Sequence, residues 1–310
     1  MLTPQDTIVC DRENHASIFE GCQASRARLS PFAHNDVAAA ARKLAAARQR
    51  NANGCLLLIT EGVFSMSGDL PPLPELVQLK KTHPDLLIYV DDAHGLGVMG
   101  HQGRGTVDHF GLTDRVDFIM GTFSKALASI GGFIAADDEV VMEYLRHHSK
   151  PLIFSAALPA SNVATVLACL DVLEQEPERV ARLWEITRRV HAGYREMGLI
   201  TRNSQTPIIP IYIGEEVKAA QFAREMFDHG IFALPAIYPA VPRGQAVIRT
   251  AFMSTHQDHQ VQYVLEVLAQ LAQKHRIRAA DLLESENALE ENGFSVPVPH
   301  PSDPAVSVTG

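Results

Sequence analysis

Three stretches of the 310-residue chain carry residue types and spacings suited to acid–base or nucleophilic chemistry. The first is Tyr89-Val90-Asp91-Asp92-Ala93-His94-Gly95. A carboxylate leaves an apolar run, and a histidine follows three residues on. A buried carboxylate is costly unless a positive partner stabilises it. A protonated pyridine nitrogen is one such partner, and a cationic ring accepts carbanion electrons. The bland alternative is that Asp91 or Asp92 caps the following turn. The second stretch is Gly121-Thr122-Phe123-Ser124-Lys125-Ala126, followed by Gly131-Gly132. Its lysine sits in a loop between two apolar runs that read as buried strands, an unfavourable place for an ammonium group. Imine formation removes that charge, and the neighbouring hydroxyls and glycine amides suit a phosphate. A solvated loop lysine is the alternative. The third stretch is Asp11-Arg12-Glu13-Asn14-His15-Ala16-Ser17. His15 has a flat ring that can stack on a heteroaromatic, although a histidine of this kind is more often structural or exposed.

Two further motifs are Thr60-Glu61-Gly62-Val63-Phe64-Ser65-Met66 and Ile248-Arg249-Thr250. Arg249 lies inside an apolar run, and a guanidinium is suited to bidentate binding of a carboxylate. An ordinary salt bridge is the other reading.

These residues need a scaffold, and the apolar pattern describes one. Short apolar runs alternate with longer helical stretches, as in an α/β sheet. Strands are expected at Leu56–Thr60, Leu86–Val90, Asp117–Met120 and Gly132–Ala135, and helices at Asp36–Arg50, Pro74–Thr82, Glu139–His148 and Ala160–Gln175. The strands up to Ala135 read as near-continuous apolar runs, as in a mostly parallel sheet buried on both faces. Each candidate stretch follows a strand, where open α/β sheets place ligands. Beyond Lys150 the texture changes. Helices at Glu178–Met197, Lys218–His229 and Gln257–Lys274 accompany strands at Ile208–Ile213 and Val247–Ala251, which reads as a smaller α/β domain. The expected division is a large domain over 1–150, a bridging helix at Ala160–Gln175 with a small domain over 151–279, and an acidic, proline-rich tail over 280–310. The end of that tail reads as disordered; Ala280–Glu291 is also compatible with an extension of the last helix.

Bulk composition excludes several classes. A net charge of −9 argues against nucleic acid as a partner, which needs a basic face. No apolar run approaches a membrane span, and Met1–Cys10 lacks a secretory pattern. Cys10, Cys22, Cys55 and Cys169 form no CxxC pair, and the 14 histidines show no HExxH spacing. That fits reduced thiols in a cytoplasmic protein without a metal site.

The stretches NHASIFEG, EGVFSMSGDLPPLPEL, VDDAHGLGVMGHQGRGT, DFIMGTFSKALASIGGFIA and AVIRTAFMSTH together resemble the α-oxoamine synthase family of fold-type I pyridoxal-phosphate enzymes. The resemblance runs from about residue 8 to about 275, in the family's order. GTFSKALASIGGFIA, LRHHSKPLIFSAALPAS and TPIIPIYI look most like the bacterial serine palmitoyltransferase branch. YPAVPRGQAVIRT also resembles the 2-amino-3-ketobutyrate CoA ligase branch, and FAHNDV and VDDAHG are shared with the 8-amino-7-oxononanoate synthase branch.

The resemblance implies pyridoxal 5'-phosphate as cofactor, an amino acid (serine, glycine or alanine) and an acyl-CoA as substrates, and a homodimer. It implies a decarboxylative condensation to an α-oxoamine, with 3-ketosphinganine as the product from serine and a long acyl-CoA. Peripheral membrane contact is compatible with such a substrate. It assigns Lys125 to the imine, Asp91 to the pyridine nitrogen, His94 to the ring's phenolic oxygen and His15 to the ring face. Ser65 would lie near the ring, Thr122 would meet the phosphate, and Arg249 would hold the substrate carboxylate. Ser155 would reach the phosphate bound in the neighbouring subunit.

Two departures stand out. Ser67 replaces the family's usual aspartate, and about a hundred residues that precede NHAS in family members, including a glycine-containing phosphate loop, are not in this sequence. A non-catalytic partner subunit or inactive remnant is therefore a rival reading, opposed by the retention of Lys125, Asp91, His94 and His15. An aminotransferase of the same fold type is a third reading, and the EGVFSM and GTFSKALAS stretches speak against it.

Overall fold

The structure is a computed structural model that describes residues 2–282. Those residues form two compact units. One contains the chain up to Phe64 and again Leu70–Val180; the other contains Ser65–Asp69 and the chain from Ala181 onward. The helix at Ala160–Gln175 falls in the first unit. Among the described residues, no helix is long and apolar enough to cross a membrane.

The first unit is built on a six-stranded sheet of order β2-β1-β3-β4-β5-β6. Its strands are β1 (Thr7–Asp11), β2 (Arg28–Phe32), β3 (Leu56–Glu61), β4 (Leu87–Asp91), β5 (Phe118–Thr122) and β6 (Gly132–Ala135). All neighbours are parallel except β5 and β6. The parallel pairs need crossovers, supplied by α1 (Ala16–Ala24), α2 (Val37–Arg50), α3 (Leu73–Gln78) and the short α4 (Thr106–His109). Helix α2 starts where Asp36 accepts the Ala39 N–H, an N-cap that satisfies one orphan donor. Its Ala39, Ala40, Leu44 and Ala47 are buried in a core with Leu56, Leu58, Ile88 and Val90. A smaller cluster of Ile8, Cys10, Cys22 and Ile59 is packed by residues of α1. The inner strands are thus apolar on two faces, as parallel strands are.

Strand β6 departs from the expected doubly buried sheet. Gly132, Phe133 and Ala135 are exposed, and among the described residues β6 pairs with β5 alone and so lies at the edge of the sheet. After it come α5 (Glu139–His148), α6 (Lys150–Ile153) and α7 (Ala160–Gln175). This part is rich in exposed apolar side chains, among them Ile153, Phe154 and Leu167. An apolar cavity of about 450 Å³ lies among Leu96, Phe123, Leu127, Leu158, Val166 and Leu170.

The second unit pairs β7 (Ile208–Gly214), β9 (Ala246–Ala251) and β8 (Leu234–Ala236) as an antiparallel sheet of order β7-β9-β8. Helices α8 (Glu178–Glu196), α9 (Glu216–Asp228) and α10 (Asp258–Lys274) bury one stripe each, including Val190, Tyr194, Phe222, Met226, Leu268 and Leu271. The segment Ser65–Asp69 belongs here because Gly68 lies against β7. A Cβ on Gly68 would stand 1.9 Å from the Ile208 carbonyl oxygen, and the φ of +70° also calls for glycine. Helix α10 ends at Lys274, and residues 279–282 form a separate helical turn, so α10 does not run on into the segment that starts at Ala280. The rest of that segment and the tail expected to be disordered lie outside the described residues.

Candidate active site

Strands β1, β3 and β4 are neighbours, and each ends in a carboxylate: Asp11, Glu61 and Asp91. All three are buried. Asp11 serves the local chain. Its oxygens accept from the Glu13 N–H at 2.8 Å, from the Asn35 N–H at 2.8 Å and from the His34 ring at 2.9 Å. Glu61 and Asp91 are register partners across β3 and β4, and the Gly62 N–H donates to the Asp91 carbonyl at 2.7 Å.

Asp91 and Asp92 have different surroundings. The Asp92 carboxylate turns to the following loop, accepting the Thr106 N–H at 2.6 Å. Gly62, Gly95 and Gly105 close around it. A Cβ on any of them would come within about 2 Å of an Asp92 oxygen. Burial pushes the Asp92 carboxyl up to about 6, against the pull of the Thr106 donors. The Asp91 carboxylate accepts the Ala93 N–H at 3.1 Å. Burial also lifts its titration; the Ala93 N–H and the positive charges of Lys125 and His15 oppose that lift. Both carboxylates thus support the local chain, Asp91 through Ala93 and Asp92 through Thr106. His94, in the same turn, is half-buried.

Lys125 follows β5 in a tight loop that closes on itself. The Phe123 N–H donates to Gly131 O at 2.9 Å, Ser129 N–H to Phe123 O at 2.8 Å and Ala128 N–H to Lys125 O at 3.1 Å. The Thr122 hydroxyl donates to Gly131 O at 3.1 Å and lies 2.9 Å from the Ser124 hydroxyl. Lys125 itself is exposed. The expectation of an ammonium trapped between two buried strands is corrected here, because β6 is an open edge and leaves the loop in water. What singles Lys125 out is its field: its charge lowers the titration of both Glu61 and Asp91. Ser155, between α6 and α7, is exposed.

His15 caps α1. Its ring nitrogen Nδ1 accepts the Ser17 N–H at 3.3 Å and lies 2.8 Å from the Ser17 hydroxyl. Its own backbone N–H donates to Glu61 Oε1. The ring is exposed rather than packed in the core.

Within the second unit, Arg249 on β9 donates its Nε–H to the Ser65 carbonyl at 2.7 Å. It is half-buried, burial lowers its titration, and among the described residues it makes no ion pair. The ordinary salt bridge is thus replaced by a backbone contact that fixes the guanidinium plane.

Glu61 is the residue that sequence reasoning passed over. It lies in the Thr60–Met66 stretch, where nothing in the local pattern sets its carboxylate apart from that of Asp91. The signal is the one the two share, a carboxylate closing an apolar strand. Burial first, and the neighbouring Asp91 second, push the Glu61 carboxyl up to about 8.

Comparison with known proteins agrees with this architecture. Residues 1–268 match the family Aminotransferase class I and II. A serine palmitoyltransferase of Bacteriovorax stolpii is 43% identical over 86% of this chain, which spans 63% of that relative's length. An 8-amino-7-oxononanoate synthase of Symbiobacterium thermophilum is 40% identical over 87% of this chain and 68% of its own. Among solved structures, the Sphingomonas wittichii serine palmitoyltransferase superposes with a TM-score of 0.84 at 33% identity, covering 90% of this chain and 69% of that one. The chain belongs to the aminotransferase class I and II family and, within it, to the α-oxoamine synthases, with the fold-type I architecture.

Proposed function

We propose that the chain binds pyridoxal 5'-phosphate through Lys125 and condenses an amino acid with an acyl-CoA, releasing CoA and carbon dioxide to leave an α-oxoamine. One observation carries this reading. The buried carboxylate of Asp91 and the accessible amine of Lys125 share one end of the sheet and feel each other's charge. The donor set fits the cofactor. Asp91 is held short of easy ionisation by burial, so a protonated pyridine nitrogen compensates it. The hydroxyls of Thr122 and Ser124 sit 2.9 Å apart at the start of the loop after β5, a pair of polar groups suited to a phosphate. Lys125 is exposed beside them. Bound there, pyridoxal phosphate supplies an electron sink for the electrons left when a bond to the substrate α-carbon breaks.

The chain's own residues do the rest. Lys125 Nζ would take the α-proton of the substrate as general base. Asp91 holds the ring nitrogen protonated. His94 and His15 would contact the bound ring, His15 with its backbone N–H held by Glu61. Ser65 and Thr122 complete the cofactor contacts, and Ser155 serves the phosphate of a second copy in a homodimer. Arg249, with its plane fixed by Ser65, takes the substrate carboxylate as a fork.

Serine and a long-chain acyl-CoA are the substrates this reading favours, given the 43% identity to serine palmitoyltransferases. An 8-amino-7-oxononanoate synthase activity is the second reading, supported by relatives at 40% identity. The reading places the protein in the cytoplasm. The test is borohydride reduction after pyridoxal phosphate is added, followed by peptide mapping and by assays with serine, glycine and alanine against short and long acyl-CoAs. Label on Lys125 and release of CoA are expected. Label spread over surface lysines, with no CoA released, refutes the proposal.

A further inference from the structure

Glu61 has no part in the reaction as derived above, yet it sits among the groups that do. It ends β3 between β1 and β4, faces its register partner Asp91, and is buried to 3% of its surface. Its Oε1 accepts the backbone N–H of His15, the residue that caps α1. The charges facing it are Asp91 from β4, Asp11 from β1 and Lys125 from the loop after β5. Two like charges at the ends of adjacent strands repel, and burial penalises each. One proton shared out between them relieves both costs.

We propose that Glu61 is a positioning residue that carries that proton in the folded chain, its neutral carboxyl fixing the His15 backbone while Asp91 alone remains the anion. The assignment rests on the reading that Asp91 and His15 face pyridoxal phosphate. Both carboxyls accept a backbone N–H and both feel Lys125, but β3 lies between two strands that also end in carboxylates, Asp11 and Asp91, whereas β4 has only Glu61 on one side and β5 with its Lys125 loop on the other. Burial first, then the flanking Asp91 and Asp11, raise the Glu61 carboxyl to about 8. A neutral Glu61 leaves one negative charge for the ring nitrogen, which keeps the nitrogen protonated without an excess anion beside it. It also keeps a carbonyl oxygen for the His15 N–H.

The isosteric variant Glu61→Gln separates a neutral acceptor from an anion. The folded-state titration is raised above the unfolded value of 4.5. The protonated group's contribution to stability is therefore complete below that value and is lost as pH rises through the folded one. Melting of the cofactor-free wild type should therefore fall relative to Glu61→Gln between about pH 5 and pH 9. The variant should bind pyridoxal phosphate within about threefold of wild type at neutral pH, far less than the roughly tenfold that a lost strong hydrogen bond would cost. Parallel melting curves, or a folded Glu61→Gln that has lost cofactor binding more than about tenfold, overturn the proposal.

Carbon-13 NMR of wild type labelled at glutamate carboxyls gives a reading that needs no variant. One resonance titrating far above the others is expected. If every glutamate titrates in the ordinary range, the idea fails. Wild type that takes up no pyridoxal phosphate refutes the proposed function, whereas the NMR titration and the melting difference still decide the protonation of Glu61.

Discussion

Arg249 Nε–H and the carbonyl of Ser65 meet at 2.7 Å, tying β9 to a segment 184 residues earlier in the chain. The bond uses the inner nitrogen of the guanidinium and orients the outer pair. Replacing Arg249 by lysine keeps the charge but removes the planar fork and the bond to Ser65. A charge-assisted bidentate contact is worth roughly 1.5–3 kcal/mol, so KM for the amino acid should rise by about tenfold to a hundredfold. KM for acyl-CoA should hardly move. Equal rises for both substrates would show a general structural defect instead.

Lys125→Ala should abolish both turnover and the visible absorption of bound pyridoxal phosphate, since alanine offers no amine. Asp91→Asn should retain some cofactor. It should lose turnover by more than about a hundredfold, because the ring nitrogen loses the anion that keeps it protonated. Spectra and steady-state rates on the same preparations separate the two outcomes. Near-normal turnover in Asp91→Asn would contradict its role.

Gly95→Ala tests the glycine cage around Asp92. The new methyl would sit 2.0 Å from Asp92 Oδ1 and 2.2 Å from Thr106 Oγ1. Overpacking of this kind costs about 1–3 kcal/mol, and the buried carboxylate leaves the site little room to give. Urea unfolding should show a lower midpoint at an unchanged slope. A wild-type midpoint would mean that the loop yields.

Asp92 also writes a pH dependence into stability. Its carboxyl is raised from 3.8 to about 6 in the folded chain. The protonated form therefore contributes stability in full below 3.8, and that contribution is lost as pH rises through 6. The loss is about 3 kcal/mol on the usual conversion. Asp92→Asn keeps an acceptor for the Thr106 N–H and carries no charge. Its melting temperature should match wild type in acid and exceed it at neutral pH. A constant difference across that range would count against the buried charge.

The middle of the sheet was legible in the sequence because β3, β4 and β5 are apolar on two faces and interrupted by little else. Strands β1 and β2 were not. β1 carries a run of only three apolar residues, Ile8 to Cys10, while β2 carries Pro31, which is tolerated because β2 is the edge of the sheet. The 3.6-residue period described α5 and α7 to the residue. Lys125, Asp91 and His15 stood out by type and position. The exposure of Lys125 did not, because it depends on β6 being an edge, and strand order is not written in local pattern. Glu61 was overlooked because its neighbour across the ladder, 30 residues away in sequence, is what makes it unusual.

The open flank of β6 has a consequence for the protein in the tube. Its backbone edge and the exposed side chains of Ile130 and Phe133 offer one molecule a template for another. Encounters of that kind scale with the square of concentration, while folding within one chain does not. Dilute samples should therefore stay monodisperse longest, and scattering should grow with concentration and with salts that strengthen apolar association. A charged residue in place of Ile130, which is 51% exposed just before β6, interrupts the template without touching the sheet's buried core.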